Sequence, residues 1–448
     1  VPDVSAFVKA YDVRGTVPDQ LNDEVARLFG AAFAELVGGP SIVVAYDMRP
    51  SSPGLAHAFA EGVTSQGVDA VIAGLASTDL LYFASGHLNM PGAMFTASHN
   101  PARYNGIKLC RAGAAPVGQD TGLADLRDRV NAGGPAPKDR TGSITERSML
   151  DDYAAFMHGL VDLRGIRPLK VVVDAGNGMG GLTVPAVFKG LPLDVTPLYF
   201  ELDGTFPNHE ANPIEPENLV DLQKAVREHH ADIGLAFDGD ADRCFVVDEN
   251  AKVVSPSAIT ALVAARELKR EPGSAVIHNL ICSRTVPEVI RENGGTPVRT
   301  RVGHSFIKAE MARTNAIFGG EHSGHFYFRD FWRADSGMLA ALHVLAELGA
   351  QDGPLSALLA PYDRYSASGE INTTVADAQA TMKEVEAAYD GKAEIDHLDG
   401  LTVSAKDWWF NLRPSNTEPL LRLNAEAADE ATMTRVRDDV LAIVRGGA

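Results

Sequence analysis

The stretch Gly92-Ala-Met-Phe-Thr-Ala-Ser-His-Asn-Pro101 sets the reading of the whole chain. Its first four residues read as the end of a buried strand. Pro101 disfavours helix at Asn100, so Ser98 is expected on a loop at the carboxyl end of that strand. In open α/β sheets that edge is where ligands bind. The other pieces of such a sheet lie upstream. Val25, Leu28, Phe29, Ala32, Phe33 and Leu36 follow a helical period, with Asn22 as N-cap and Gly38 past the end. Ser41-Ile-Val-Val-Ala-Tyr46 is a short β-rich run before a polar turn.

The arrangement then returns twice. Leu169-Lys-Val-Val-Val-Asp174 and Ala275-Val-Ile-His-Asn279 are again β-rich runs followed by a polar or Gly-rich turn and a helical pattern. Each has a second strand some tens of residues on, and a third that runs into a polar loop. The third strands are Ala93–Phe95 into Ser98, Ile233–Phe237 into Asp238 and Ala316–Phe318 into Glu321. The letters barely repeat, but the topology does. Strands alternating with helices predict α/β sheets covered on both faces.

At 448 residues the length prior is about three domains. Asn131–Ser143 is rich in Gly, Pro and charge, Asp248–Lys252 is a polar break, and Pro361–Gly369 precedes a different tail. The expected segments are therefore 1–143, 144–252 and 253–365, each α/β, and a smaller α+β segment 366–448. In the tail Ile371–Val375 and Leu401–Val403 read as strands, and Met433, Val436, Val440, Ile443 and Val444 as one face of a closing helix.

Apolar content of 45% is that of a globular protein, and a formal net charge of −19 argues against nucleic acid or an anionic membrane as a partner. An anionic substrate would need positive charge focused locally. Cys110, Cys244 and Cys282 lie far apart, which predicts neither disulfide framework nor zinc site and suggests a reducing compartment. With no apolar run of spanning length and no secretory pattern, a cytoplasmic protein is expected. A monomer or weak dimer is the expected assembly, though no residue pattern specifies it.

Four loops carry the chemistry. Asp238-Gly-Asp-Ala-Asp-Arg243 sets three carboxylates at alternate positions, and such carboxylates repel unless a hard cation such as Mg²⁺ or Ca²⁺ holds them. A solvated acidic turn is the bland alternative, weakened by the apolar runs on either side. Arg243 could pair with the carboxylates or with a phosphate. Ser98 beside His99 invites a hydrolase reading, but adjacent residues are no triad and no Gly-x-Ser-x-Gly elbow surrounds them. A serine at a strand end facing a metal loop fits phosphoryl transfer better. Gly320-Glu-His-Ser-Gly-His325 offers a carboxylate and a hydroxyl two apart, able to bracket neighbouring sugar hydroxyls. Arg413-Pro-Ser-Asn-Thr-Glu-Pro419 is dense in phosphate ligands. These loops make sense together if they converge.

With all four in this order, the chain resembles the α-D-phosphohexomutase superfamily, most closely its phosphomannomutase/phosphoglucomutase branch, over essentially its whole length. The resemblance implies three domains with a shared α/β core, a small α+β lid, one Mg²⁺ and a resting enzyme carrying phosphoserine at Ser98. It implies that Asp238, Asp240 and Asp242 bind the metal together with the seryl phosphate. Glu321 and Ser323 would read sugar hydroxyls, with Arg243 and His325 as further substrate contacts. Arg413, Ser415, Asn416 and Thr417 would grip the non-reacting phosphate. Lys108 in Tyr104-Asn-Gly-Ile-Lys108 is a candidate acid/base or phosphate ligand, and Arg14, His99 and His304 join the catalytic candidates.

The implied reaction interconverts hexose 6-phosphate and hexose 1-phosphate through a bound hexose 1,6-bisphosphate, with mannose, glucose or both as the sugar. Rival readings are a phosphoglucosamine mutase, a metal-dependent sugar phosphatase and a non-catalytic phosphosugar sensor. Two departures from the family pattern stand out. Ile281 precedes Cys282-Ser-Arg284 where bifunctional relatives have lysine, and His322 stands where they have methionine. Both are expected to bear on sugar preference or pH profile, since histidine titrates near neutrality.

Overall fold

The computed structural model describes residues 2–415 and 420–446 of the chain. They divide into two compact units: Val1–Ile259 with Ser323–Leu358, and Thr260–His322 with Leu359–Ala448. The first unit opens with β1 (Val13–Thr16), α1 (Asp23–Val37), β2 (Ser41–Tyr46), α2 (Ser52–Ser65), β3 (Asp69–Leu75), α3 (Thr78–Leu88), β4 (Gly92–Phe95) and β5 (Tyr104–Arg111). The α1 boundaries match the sequence reading. Asn22 accepts a hydrogen bond from the Val25 N–H, and Gly38 ends the helix at φ 63°. α1 and α2 pack closely enough that a Cβ on Gly30 would lie 2.0 Å from the Phe59 carbonyl. Their apolar faces, with Phe29, Phe33, Phe59 and Phe95, form the first core.

The predicted repeat is present in the hydrogen bonding. β2 lies between β3 and β4 and is parallel to both. Leu169–Asp174 lies likewise between Leu193–Leu198 and Ile233–Phe237, and Ala275–Asn279 between Thr296–Thr300 and Phe318–Gly320. In each trio the first strand is central, so the loops leaving the first and third strands emerge side by side. Registers make this concrete: Tyr46 pairs with Phe95, Asp174 with Ala236 and His278 with Gly320. Two trios are in the first unit and the third is in the second.

Three sequence expectations need correction. The third-repeat strand spans Phe318–Gly320 rather than Ala316–Phe318, because the chain leaves its helix through a left-handed cap at Asn315 and reaches the central strand at Phe318. Ile144–Glu146 pairs with β3, so the boundary at 143/144 falls short of the first sheet's last strand. The tail strand starts at Ser366, within the stretch read as linker, and ends at Thr374.

The tail sheet runs Ser366–Thr374, Leu420–Ala427, Trp408–Pro414, Leu401–Ser404, Glu394–Asp396, antiparallel throughout. Leu401, Val403, Phe410, Leu412, Leu421 and Leu423 pack with Val436 and Val440 of the closing helix Glu430–Val444. The period of two along each strand puts the polar residues on the opposite face.

One buried carboxylate ties the first unit together. Asp79, in the first turn of α3, accepts hydrogen bonds from Ser77, from the Tyr153 hydroxyl at 2.7 Å and from Ser336 Oγ at 2.7 Å. Burial raises its pKa to about 6. The folded protein thus keeps a proton that the unfolded chain releases from about pH 4 upward, so this contribution to stability falls as pH rises through 4 to 6. Between pH 4.5 and 6.5 the wild type is expected to lose about 2 kcal/mol of unfolding free energy relative to Asp79→Asn. Denaturant titrations of both proteins at the two pH values measure the difference.

Candidate functional site

Ser98 sits three residues beyond β4, 5% exposed, with φ 51°. A non-glycine residue in the left-handed region is uncommon, and the surroundings hold it there. Its N–H donates to Thr96 Oγ1 at 2.9 Å. Its carbonyl accepts from Arg49 Nη2 at 3.0 Å. Arg49 lies on the loop after β2, which the repeat places next to the serine loop. Its Nη1 and Nη2 also donate to the carbonyls of Asn100, Pro101 and Tyr104, and its Nε donates to Asp47 at 3.2 Å. Side chains of Arg49 and Asp47 are fully buried. This guanidinium thus nails the serine loop to the sheet edge.

The acidic loop follows Ile233–Phe237 and meets the serine loop directly. A Cβ on Gly239 would fall 2.3 Å from the Ser98 carbonyl, so only glycine permits the approach. Ser98 Oγ donates to Asp238 Oδ2 at 3.1 Å. Asp238, Asp240 and Asp242 are all buried, each with an oxygen within 4.8 Å of the others'. Arg243 donates to Asp238 through Nε at 3.0 Å and its own N–H at 3.1 Å. Lys108 Nζ bridges Asp240 at 2.7 Å and Asp242 at 2.8 Å. Thr78, the first residue of α3, donates its hydroxyl to Asp240 Oδ2 at 2.5 Å and its N–H to the Asp240 carbonyl at 2.9 Å.

Asp240 Oδ1 and Asp242 Oδ1 are buried without a hydrogen-bond partner among the described residues. Buried carboxylate oxygens of that kind are costly, and a hard cation satisfies them. Three carboxylates against Lys108 and Arg243 leave one negative charge in excess. The donor set is all oxygen. The cluster therefore fits a divalent metal ion, and the solvated-turn alternative does not describe it.

Burial raises the Asp238 pKa, more than Arg243 can offset. Burial also opposes ionisation of Asp240, but Lys108, Thr78 and Ser98 hold that carboxyl below its usual range. Lys108 is raised well above its ordinary value because Asp240 and Asp242 outweigh the cost of its burial. Burial, then Arg243 and Arg14, push His99 well below its usual pKa. The neutral ring accepts from Arg243 Nη2 at Nδ1, 2.9 Å away, and lies 3.3 Å from Ser98 Oγ. A lone pair already engaged by a guanidinium cannot serve as the base of a hydrolase, which removes that reading of the Ser–His pair. Cys244 is a buried thiol whose pKa burial raises.

The remaining candidates of the first unit gather nearby. Arg14 on β1 reaches the serine loop through Asn100 Oδ1 at 2.7 Å. Ser323 Oγ lies 2.8 Å from His325 Nδ1, and His325 offers a nitrogen within 4.8 Å of oxygens of Asp242 and Asp335.

The second unit holds the rest. Glu321, 3% exposed, accepts from the Gly303 N–H at 3.2 Å and from Asn279 Nδ2 at 3.4 Å. His304 begins the helix next to Gly303. Arg413 Nη2 lies 3.4 Å from Glu370, and the Ser415 N–H donates to the Leu420 carbonyl. Asn416 and Thr417 lie outside the described residues.

His322 departs from expectation. Asn279 Nδ2 donates to its Nδ1 at 2.9 Å, and burial with Arg413 and Arg422 nearby lowers its pKa to about 3. It is neutral through the physiological range and cannot shape a pH profile near neutrality. Its imidazole proton shifts are expected to stay flat from pH 9 to pH 5 in an NMR titration; an inflection near pH 6.5 would contradict the assignment. Ile281 is buried, and its N–H donates to Asn279 Oδ1.

Arg49, Thr78 and Asn279 were not legible as site residues. Arg49 lies on the loop leaving the first strand of one repeat, and Asn279 is the last residue of the first strand of another, where that loop begins, each beside the loop it holds. Counting those loops alongside the third-strand loops would have found both.

Comparison with known proteins agrees with this picture over the full chain. Residues 6–136, 151–252 and 255–365 match phosphoglucomutase/phosphomannomutase alpha/beta/alpha domains I, II and III, and 370–443 matches the C-terminal domain of that family. The chain is 42% identical to the phosphohexose mutases of Xanthomonas campestris pv. campestris, covering 98% of this chain and 99% of the relative. It is 40% identical to an Escherichia coli phosphomannomutase, covering 98% of each. A crystal structure of a phosphoglucomutase/phosphomannomutase family protein from Burkholderia thailandensis superposes with a TM-score of 0.90 at 35% identity, covering 99% and 98% of the two chains.

Proposed function

Since the chain belongs to the phosphoglucomutase/phosphomannomutase family and is a hexose phosphate mutase, we propose that it interconverts hexose 6-phosphate and hexose 1-phosphate through phospho-Ser98 and a bound hexose 1,6-bisphosphate. The observation that carries the reading is Ser98 Oγ, 3.1 Å from Asp238, beside two buried carboxylate oxygens with no hydrogen-bond partner among the described residues.

Asp238, Asp240 and Asp242 would hold Mg²⁺, which supplies positive charge to the transferring phosphoryl group when bound. The substrate's free hydroxyl forms a bond to phosphorus as the bond from phosphorus to Ser98 Oγ breaks. The proton lost by that hydroxyl is regained by the serine oxygen over the step. The bisphosphate then presents its other phosphate, and the reverse transfer regenerates phospho-Ser98. Phosphoryl transfer needs positioning and charge more than covalent help. Arg49 and Gly239 fix where the seryl oxygen sits, and Lys108, Arg243 and Arg14 supply the local positive charge that an acidic protein must focus for an anionic substrate. Glu321 and Ser323 take the sugar hydroxyls, and Arg413 and Ser415 the distal phosphate. Mannose, glucose or both serve as the sugar.

A phosphorus NMR time course with Mg²⁺ and a trace of hexose 1,6-bisphosphate tests this. Mannose 1-phosphate, glucose 1-phosphate and glucosamine 1-phosphate are supplied separately. Growth of the 6-phosphate resonance is expected with at least one of the first two. Release of inorganic phosphate instead would make the enzyme a phosphatase, and conversion of the amino sugar alone would make it a glucosamine phosphate mutase.

A further inference from the structure

Arg49 has no donor to spare. Its Nε serves Asp47, and its Nη1 and Nη2 each serve two backbone carbonyls of the serine loop. All of these N–H groups lie in the guanidinium plane, so only the flat faces remain to be covered. Phe206 covers one of them, with Arg49 Cζ 5.2 Å from its ring centroid. A ring stacked on a buried guanidinium adds attraction and keeps water from competing for the in-plane hydrogen bonds. The backbone beside Phe206 comes equally close: a Cβ on Gly204 would lie 2.5 Å from Arg49 Cα.

Phe206 belongs to the loop that follows the strand Leu193–Leu198 in the second repeat. That loop is tied to the turn after the central strand Leu169–Asp174. Asn177 donates its N–H to the Tyr199 carbonyl and its Nδ2 to the Glu201 carbonyl, both at 2.9 Å. The Asn177 carbonyl accepts from the Asp203 N–H at 3.0 Å, and its Oδ1 from Asn208 Nδ2 at 2.8 Å. His209 is the last tie. Its Nε2 lies 2.8 Å from Asp174 Oδ2, and its Nδ1 2.8 Å from the Glu210 carbonyl. Both nitrogens face acceptors, which only the doubly protonated ring satisfies. Burial disfavours that charge, but Asp174, the Glu210 carbonyl and Asp221 outweigh it and raise the pKa. Two residues on, buried Ala211 packs against the acidic loop, its Cβ 3.6 Å from where a Cβ on Gly239 would stand.

We propose that Phe206 and His209 are positioning residues for phosphoryl transfer: the loop Tyr199–Ala211, pinned to Asp174 at His209, braces Arg49 from its open face and the acidic loop from its flank, and so fixes Ser98 Oγ against Asp238. The inference rests on the mutase reading for the reaction it serves. Both half-reactions use the same seryl oxygen, so a displaced serine loop slows each of them. The brace acts through Arg49 and Gly239, so its loss slows the chemical step and leaves substrate binding alone.

Steady-state kinetics, amide hydrogen exchange and thermal melts on Phe206→Leu, Phe206→Tyr and His209→Gln test this. Phe206→Leu is expected to lower kcat by about ten- to hundredfold, the scale of a small misplacement of reacting groups, with KM within about twofold of wild type. Exchange over Ser98–Tyr104 should rise in the same protein. Phe206→Tyr keeps the ring and is expected to recover most of the lost kcat. His209→Gln keeps one donor for Asp174 and leaves Arg49 and Phe206 unaltered. It is expected to lower kcat by about tenfold, the scale of one hydrogen bond to a charged group, and to raise exchange over the same serine-loop residues. Melting temperatures should stay close to wild type, since both residues are half-buried on a loop. Wild-type kcat and exchange in Phe206→Leu and His209→Gln, a rise in KM at unchanged kcat, or no recovery in Phe206→Tyr overturns the proposal. If exchange rises as stated but the wild type interconverts no hexose phosphate, the brace stands and the mutase reading falls. If interconversion is present and the exchange does not move, the brace falls and the mutase reading stands.

Discussion

Ser98→Ala is expected to abolish hexose phosphate interconversion, by on the order of 10⁴-fold or more in kcat, while leaving phosphosugar binding intact. The size follows from the role. In the proposed mechanism Ser98 itself carries the transferred group, and Thr96 Oγ1, two residues away, is engaged in accepting the Ser98 N–H. The fold should not suffer. Alanine meets the same left-handed strain as serine at this φ, the Arg49 contact is to the backbone carbonyl, and Asp238 keeps both bonds from Arg243. The phosphorus NMR assay reads the loss, and calorimetry with glucose 6-phosphate reads the retained binding. Residual activity within tenfold of wild type would mean that the phosphoryl group does not pass through Ser98.

Arg49→Met is expected to cost about 3–5 kcal/mol of stability, the scale of breaking a buried ion pair. Methionine keeps most of the volume but strands the fully buried Asp47 carboxylate and removes the donors from four backbone carbonyls. Adding Asp47→Asn should recover only part of the loss, because the charge is then removed but the carbonyls stay bare. Arg49→Lys should not rescue either, since an ammonium has three donors and no planar fork to span Ser98 to Tyr104. Denaturant midpoints give the energy, and hydrogen exchange over Ser98–Tyr104 should rise together with the loss of turnover. A variant with wild-type exchange there would show that the serine loop holds itself. Activity lost through this residue is lost by positioning, which separates it from the direct loss at Ser98.

The acidity of the chain and the phosphate chemistry of its site are reconciled by local charge. Lys108, Arg243, Arg49 and Arg14 cluster about the serine loop, and Arg413 pairs with Arg422 in the tail. The balancing carboxylates lie within the same clusters, so each is close to neutral until a metal ion or a phosphate joins it. In such a design the ligands complete the charge balance.

Much was legible from residue order alone, because it depends on local physics. The α1 helix with its Asn22 cap and Gly38 stop, the strands Ser41–Tyr46, Leu169–Asp174, Ala275–Asn279 and Ile233–Phe237, and the placement of Ser98 and Asp238 just past strand ends all follow from periodicity, capping and Pro or Gly punctuation. Alternate aspartates in a Gly-containing turn announce a cation for the same reason: like charges that close need one. What the letters could not disclose was which side chains meet across the sheet edge. The central position of each repeat's first strand is a matter of pairing between segments tens of residues apart, and only that pairing sets Arg49 under Ser98 and Asn279 beside Glu321 and His322. Protonation was equally hidden. His322 and His99 have ordinary histidine letters, yet burial and facing arginines keep them neutral, an effect of surroundings that no local pattern encodes. Chain-local forces thus determined the elements and the loops that end them, whereas the partners and charge states of the site were decided by tertiary packing, because desolvation and cross-sheet contact exist only once the strands have come together.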